Sequence, residues 1–363
     1  MAVARLAAIR ELRAHAVERS LFPFTTLQGA IDRLGFVQAD PIRAPARAQD
    51  LILRHRVSGF RAGDLERQYA SLQVEEDYLY AYGFLSKAVW QLLHPRKAPP
   101  LRALEKKVLD TVISLGEAHP RVLEAHLGKR RVVNAWGGYS KATTHALEWL
   151  HWRGLLRITR RENGIRIYSQ AIPPDVVPPP PERLRALVMV YARIFAPSPE
   201  KSLQSVLAPH RELGSTRDAL AELLARGDLR RDVVDGVSYV SPAARVAADG
   251  RNNLVRFLAP FDPVVWDRAR FEHLWGWAYR FEAYTPVKKR VRGYYAMPML
   301  WHDDVVGWVN VTTPGPSAAF DVSVGYAKPR PRDRAFRHEL DAEIARLEEF
   351  LQPRTGPYPP PVF

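Results

Sequence analysis

The sequence predicts an α+β fold: three tandem winged-helix domains, then a small β-barrel and a closing C-terminal helix. Three observations carry this. Two stretches repeat the order helix, glycine, strand, tight turn, strand, and a third repeats its first half. Beyond residue 250 the chain turns to Phe, Trp, Tyr and Val broken by turn residues, the pattern of short strands. At 363 residues the chain is too long for one ordinary domain.

The elements follow in order. The first fifteen residues interleave Arg5, Arg10, Glu11 and Arg13 with apolar positions, so they read as an amphipathic helix and not as a secretory signal. Residues 27–37 run helix, Gly35, strand, a degenerate copy of the repeat. The two clearer copies align Ala146, Leu147, Leu150, Arg153 and Gly154 with Ala219, Leu220, Leu223, Arg226 and Gly227. In each, an apolar stripe at helical spacing ends at a glycine suited to a C-terminal cap. Asn163-Gly164 and Asp235-Gly236 then mark hairpin turns. Proline-rich stretches at 172–182 and 353–363, with a weaker break at 94–101, punctuate the chain. They set domains at 1–100 (with the catalytic motif described below), 101–172, 183–250 and 251–352, and a tail at 353–363. The fourth block is read as short strands over 255–311, a small barrel or sheet. The spacing of Phe336, Leu340, Ile344, Leu347 and Leu351 predicts the closing helix.

Composition narrows the function. There is no cysteine, which excludes thiolate zinc sites, iron–sulfur clusters and cysteine nucleophiles, and fits a cytoplasmic protein. No run is apolar enough to span a membrane. The formal net charge is +14, and residues 101–172 are more basic than 173–253. Such a surface favours nucleic acid, and Arg outnumbers Lys 43 to 10, which suits phosphate clamping. Phosphate-binding and dinucleotide-binding glycine loops, the nucleophile elbow and the zinc-protease helix are all absent. His302-Asp303-Asp304 is read as a hairpin tip, and Glu75-Glu76-Asp77 as a solvated charge run.

One segment, residues 34–57, gathers unusual chemistry. Gln38 and Asp40 alternate with Phe36 along an extended chain, so both face one side. Arg43, Arg47, Arg54 and Arg56 surround them and are assigned to DNA phosphates, as are Lys141, Lys288, Lys289 and Arg290. A carboxylate beside a carboxamide can hold and polarise a water next to a DNA backbone. The plainer reading has Asp40 capping a helix with Pro41 at its first position, and by residue physics alone that reading is the stronger. Lys288 to Arg292, flanked by Tyr284 and Tyr294-Tyr295, is expected to form a basic hairpin tip.

Three stretches of the chain resemble the AlkZ/YcaQ family of bacterial DNA glycosylases: 34–57, 259–270 and 279–300. Gln38-Ala39-Asp40 is similar to the family's catalytic Gln-x-Gln or Gln-x-Asp motif, in the Asp form of its YcaQ-like (AlkX) branch. The resemblance implies three winged helices and a β-barrel around DNA, with Gln38 and Asp40 catalytic. Departures lie at Arg47-Ala48-Gln49-Asp50, where the family commonly has His, and at Arg54-His55-Arg56, where it commonly has Trp-Ser-Arg. Val309-Asn310-Val311-Thr312 also replaces an Asp-x-Lys pattern.

The reading that follows is a monomeric, monofunctional DNA glycosylase. It would act on duplex DNA carrying N-alkylated purines, especially N7-alkylguanine, with interstrand crosslinks as an extension, and without metal or cofactor. A non-catalytic winged-helix DNA-binding protein is the alternative. A metal nuclease is a weaker third, since no convincing set of converging carboxylates is visible.

Overall fold

The computed structural model describes residues 2–128, 131–133, 139–244, 253–313 and 320–353. The expected tail at 353–363 lies outside them except for Pro353. Helix α1 (Ala2–Ser20) opens the chain as predicted. Its buried Ile9, Leu12, Ala16 and Val17 pack with Phe271, Leu274 and Trp275 near the other end of the sequence.

Three units of one topology follow. The first contains α2 (Leu27–Leu34), β1 (Phe36–Gln38), α3 (Ala48–Leu53), α4 (Asp64–Gln68), the hairpin β2 (Val74–Tyr78) and β3 (Tyr82–Ser86), and α5 (Lys87–Leu93). The second contains α6 (Ala103–Leu115), β4 (Glu117–Ala118), α7 (Pro120–Leu127), a short pair β5 (Arg131–Val133) and β6 (Tyr139–Lys141), α8 (Ala142–Trp152), and the hairpin β7 (Leu156–Glu162) and β8 (Ile165–Gln170). The third contains α9 (Pro180–Ile194), β9 (Ser198–Pro199), α10 (Glu200–Leu207), α11 (Thr216–Ala225), and the hairpin β10 (Leu229–Val234) and β11 (Val237–Pro242). In each unit the lone first strand pairs with the second hairpin strand, giving orders β1-β3-β2, β4-β8-β7 and β9-β11-β10. Both asparagine/aspartate–glycine turns form with positive φ at both positions: 50° and 81° at Asn163-Gly164, 53° and 74° at Asp235-Gly236.

The degenerate copy is out of phase. Its strand, β1, is the lone first strand, so α2–Gly35–β1 corresponds to α6–Gly116–β4 and not to α8–Gly154–β7. An amphipathic helix stopped by a left-handed glycine before a strand looks the same wherever it falls in the unit. The linker at 172–182 runs without helix or strand to residue 179. Its last residues start α9, where proline is tolerated because the first helical turn leaves its N–H groups unpaired anyway.

The last part holds β12 (Val255–Phe257), α12 (Pro263–Trp266), α13 (Arg268–Trp275), β13 (Met297–Trp301), β14 (Asp304–Thr312), β15 (Asp321–Tyr326) and α14 (Arg334–Leu351). Among the described residues the strands form an open sheet, β12-β13-β14-β15, and not the expected closed barrel. The expected strand run is also interrupted. Asp262 and Asp267 accept the backbone N–H groups of Val264 and Arg270, and each starts a short helix. His302-Asp303 is the tight β13–β14 turn, with His302 at φ 55°. Helix α14 forms as predicted, and its Phe336, Leu340, Leu347 and Phe350 share one core with Val255, Phe257 and Met299 of the sheet and with Ile31, Leu51 and Ile52 of the first unit.

Glu75, Glu76 and Asp77 are buried, not solvated. Arg157 Nε and Lys87 Nζ each reach Glu75 at 3.0 Å. Arg161 and the Tyr82 hydroxyl donate to Glu76. His94 Nε2 and Arg96 Nη1 donate to Asp77 at 2.7 and 2.9 Å. Arg157 and Arg161 come from β7, so this row locks the first unit to the second. Alternation along β2 would have left some of the three in water had no cations come from another unit. Among the described residues no helix is long and apolar enough to cross a membrane.

Candidate active site

Gln38 ends β1, paired with Gly83 of β3. A Cβ at Gly83 would lie 2.3 Å from the Val37 carbonyl oxygen, so only glycine lets the strands approach this closely. Ala39 N–H continues the pairing to Tyr82 O at 3.0 Å, and the chain then leaves the sheet. Asp40 Oδ1 accepts the Ile42 N–H at 2.9 Å, a local turn across Pro41. No helix begins there. The next helix starts at Ala48, which overturns the helix-cap reading of Asp40. Leaving the sheet and turning back exposes part of the Asp40 carboxyl and buries the rest, and that burial raises its pKa.

Three residues around the Asp40 turn have no role there in the sequence reading. The buried Gln49, on α3, accepts the Asp40 N–H through Oε1 at 3.4 Å, so it steadies the turn. Tyr295 is buried, and its hydroxyl, which has no hydrogen-bond partner among the described residues, is pushed to high pKa first by burial and then by the Asp40 carboxylate. Asp50, next to Gln49, is pushed up to about 6 by burial, against the pull of the Gly63 N–H and Arg47. Gln38 Oε1 is likewise buried and without a partner among the described residues. In the sequence Gln49 and Asp50 stand only as a departure from the family pattern, and Tyr295 only as a flank of the basic run. The closeness of Tyr295 depends on a 255-residue separation that periodicity cannot see.

The three stretches that carry the resemblance meet here. Arg56 forks onto Asp262 at 2.8 and 3.1 Å, both side chains fully buried, and ties the first stretch to the second. Phe281 stacks edge-on against Tyr295 at 5.2 Å and against Phe261 at 5.1 Å, joining the third to the second. Ala39, Ile42 and Ala44 pack against the same core.

The predicted DNA-binding cations divide. Arg54 and Arg56 are buried, Arg54 on Glu343 at 2.9 Å and Arg56 on Asp262. Neither presents a guanidinium to a phosphate, which corrects that expectation. Their neighbour His55 donates Nε2–H to Phe257 O at 2.8 Å, and burial keeps it neutral. Arg47 is largely covered and paired with Glu66. Arg43 is exposed. Lys141 is half-exposed at the head of α8, paired with Glu124 at 2.7 Å. Lys288 and Lys289 are exposed, and Arg290 is half-buried over the Tyr294 ring, with Nε donating to Thr285 O at 2.8 Å.

The segment 284–294 is not a strand hairpin. It is a loop with one turn of 3₁₀ helix at Val287–Lys289. The buried Glu282 carboxylate accepts three consecutive backbone N–H groups, from Val291, Arg292 and Gly293, at 2.9, 2.8 and 3.2 Å. Arg292 stacks on Trp277 and Trp308. Outward from this anchored base the loop exposes Tyr284 (78%), Val287 (73%) and Val291 (76%) beside its lysines. Tyr284 reaches back to Phe281, with ring centroids 6.1 Å apart, so the loop adjoins the cluster around Tyr295 and Asp40.

Among the described residues no three His, Asp or Glu side chains gather into a metal-binding group. A family model described as DNA glycosylase AlkZ-like matches residues 31–350. The fold is similar to that of the Streptomyces sahachiroi DNA glycosylase AlkZ, with a TM-score of 0.59 over 93% of this chain and 95% of that one. Sequence identity between the two is 15%, so the likeness is one of fold.

Proposed function

The chain belongs to the AlkZ-like DNA glycosylase family, and from that premise we propose that it excises N-alkylated purines, N7-alkylguanine above all, by hydrolysing the N-glycosidic bond. The three units of shared topology support reading each as a winged helix, within 1–100, 101–172 and 183–250, with 251–352 as a separate sheet-and-helix part. The single observation that carries the reading is the setting of Asp40. Its partly open carboxylate sits at the junction of three distant stretches, beside a loop of lysines and exposed aromatics.

In the proposed step the alkylated base already carries positive charge, so the bond from C1′ to the base nitrogen breaks with its electron pair going to the base. Asp40 stabilises the cationic sugar. Water adds to C1′ and gives its proton to Asp40, and Gln38 orients that water. A carboxyl whose pKa is raised by burial is a stronger base than an exposed one. Gln49 holds the Asp40 backbone, and Arg43, Lys288 and Lys289 face the phosphates. Because 284–294 is a surface loop with exposed side chains, bulky adducts, including interstrand crosslinks, fit the reading without ordinary base flipping.

The test is the product formed from N7-methylguanine duplex. Free base plus an intact strand with an abasic site, insensitive to EDTA, is expected. Unchanged DNA with retained binding would instead support a non-catalytic DNA-binding protein, and a broken strand a nuclease or lyase.

A further inference from the structure

The loop 284–294 holds four basic residues and no acidic one. Among the described residues, the large apolar side chains most open to solvent are Tyr284 and Val176 (78%), Val291 (76%), and Val287 and Ile172 (73%). Val176 and Ile172 lie in the proline-rich linker, which forms neither helix nor strand there. The other three share this one loop, and Tyr294 at its end is exposed as well. Apolar side chains scattered singly over a surface mean little, but a group of them on one element marks an interaction surface.

The loop holds its shape before any partner arrives. Besides the three N–H groups gripped by Glu282, Asn310 Nδ2 donates to Arg292 O at 2.5 Å. The turn of 3₁₀ helix closes through Lys289 N–H to Pro286 O at 2.8 Å and Arg290 N–H to Val287 O at 3.2 Å. A surface already ordered loses little conformational entropy on binding. The loop also leads back to the candidate site: the rings of Tyr284, Phe281 and Tyr295 follow one another at 6.1 and 5.2 Å.

Charge selects the occupant. The apolar centre of a protein–protein interface is depleted in lysine, whereas here Lys288 and Lys289 stand between Val287 and Val291. Duplex DNA answers both kinds of side chain: phosphates take the cations, and a base step can be parted by an apolar wedge or stacked on an aromatic ring. We propose that Tyr284, Val287 and Val291 enter the base stack of duplex DNA beside the damaged nucleotide. Parting one step opens the sugar of that nucleotide to Asp40 while its base stays in the helix. This insertion rests on the DNA-facing loop of the proposed function and is independent of the chemistry at Asp40.

The probe is a duplex carrying one N7-methylguanine with 2-aminopurine, which fluoresces when unstacked, as its neighbour. It is bound by the full chain carrying Asp40→Asn, so that no base is released. A several-fold rise in fluorescence is expected, and little change when the 2-aminopurine sits a helical turn away. Val287→Ser with Val291→Ser on that background should keep its Tm, lose most of the rise and bind about tenfold more weakly. The slope of log K against log salt should stay the same, because apolar contacts release no ions; that separates insertion from phosphate binding. Tyr284→Ala should lose part of the rise. A fluorescence rise from a wild-type chain that releases no base leaves the insertion standing and strikes the glycosylase assignment alone. No rise on binding, or a rise and an affinity that survive both variants, overturns the proposal. So does a wild-type dimer in sedimentation that the valine variant dissolves while DNA affinity holds, which would assign these side chains to a second copy of the chain.

Discussion

Arg56 and Lys288 answer the same description in the sequence, a cation in a basic stretch of a basic protein, and the fold puts them to opposite uses. Arg56 is sealed: its guanidinium forks onto Asp262 and also donates to Ser20 and Ile52. Lys288 stands in water on a loop whose base is fixed by Glu282. The difference lies in what answers each charge. A sealed cation brought its counter-charge from another part of the chain and acts on stability, whereas an open one has none among the described residues and can meet an outside anion.

That contrast sets the expected effects. The largest should come from the sealed pair. Arg56→Ala leaves Asp262 buried without its partner and should cost about 3–5 kcal/mol of stability, read as a lower Tm and denaturant midpoint. A variant as stable as wild type would break the distinction. Next is Asp40→Asn, which keeps shape and loses charge. Single-turnover excision should slow by about 2.7–4 kcal/mol in barrier while DNA affinity holds. Gln38→Ala should slow it less, and the reverse ranking would exchange their roles.

Asp50 sharpens the comparison from the acidic side, as a sealed anion whose partners do not offset burial. Its folded pKa, about 6, lies above the unfolded value. The folded state therefore holds the proton more tightly, and the contribution to stability is full below about pH 4 and lost as pH rises through 6. Asp50→Asn should remove that loss. The variant should gain on the order of 1–3 kcal/mol on wild type between pH 4 and pH 8, measured by urea melts at both. A gap that does not change with pH would count against it. The smallest effect belongs to the open cations. Lys288→Gln with Lys289→Gln should leave Tm unchanged and weaken binding to all sequences alike. The slope of log K against log salt should fall by roughly 0.9 for each phosphate no longer neutralised, and an unchanged slope would return the loop to a solvent role.

Much of the local grammar was legible. Glycine caps, the two hairpin turns, α1 and α14 all stand where periodicity placed them, because each is decided within a few residues. Partnership across the chain was not. Glu75 to Asp77 looked solvated because Arg157 and Arg161 lie some eighty residues away. Arg54 and Arg56 looked like phosphate ligands because Glu343 and Asp262 lie still farther. The strand run expected over 255–311 forms at its two ends and is interrupted between them for a local reason: Asp262 and Asp267 start helices among conspicuous aromatics. At the candidate site, Gln38 and Asp40 stood out through resemblance, and Tyr295 needed the fold.

Glu282 grips the main chain of the 284–294 loop and none of its side chains. The loop's course is therefore indifferent to what residues 288, 289 and 291 carry, and those positions are replaceable teeth on a fixed jaw. Gly293 is the exception, since its φ of 122° and the Asn310 side chain 2.3 Å from where a Cβ would stand forbid exchange. A designer wishing to retune what this rim grasps could vary the teeth freely, provided the glycine and the glutamate stay.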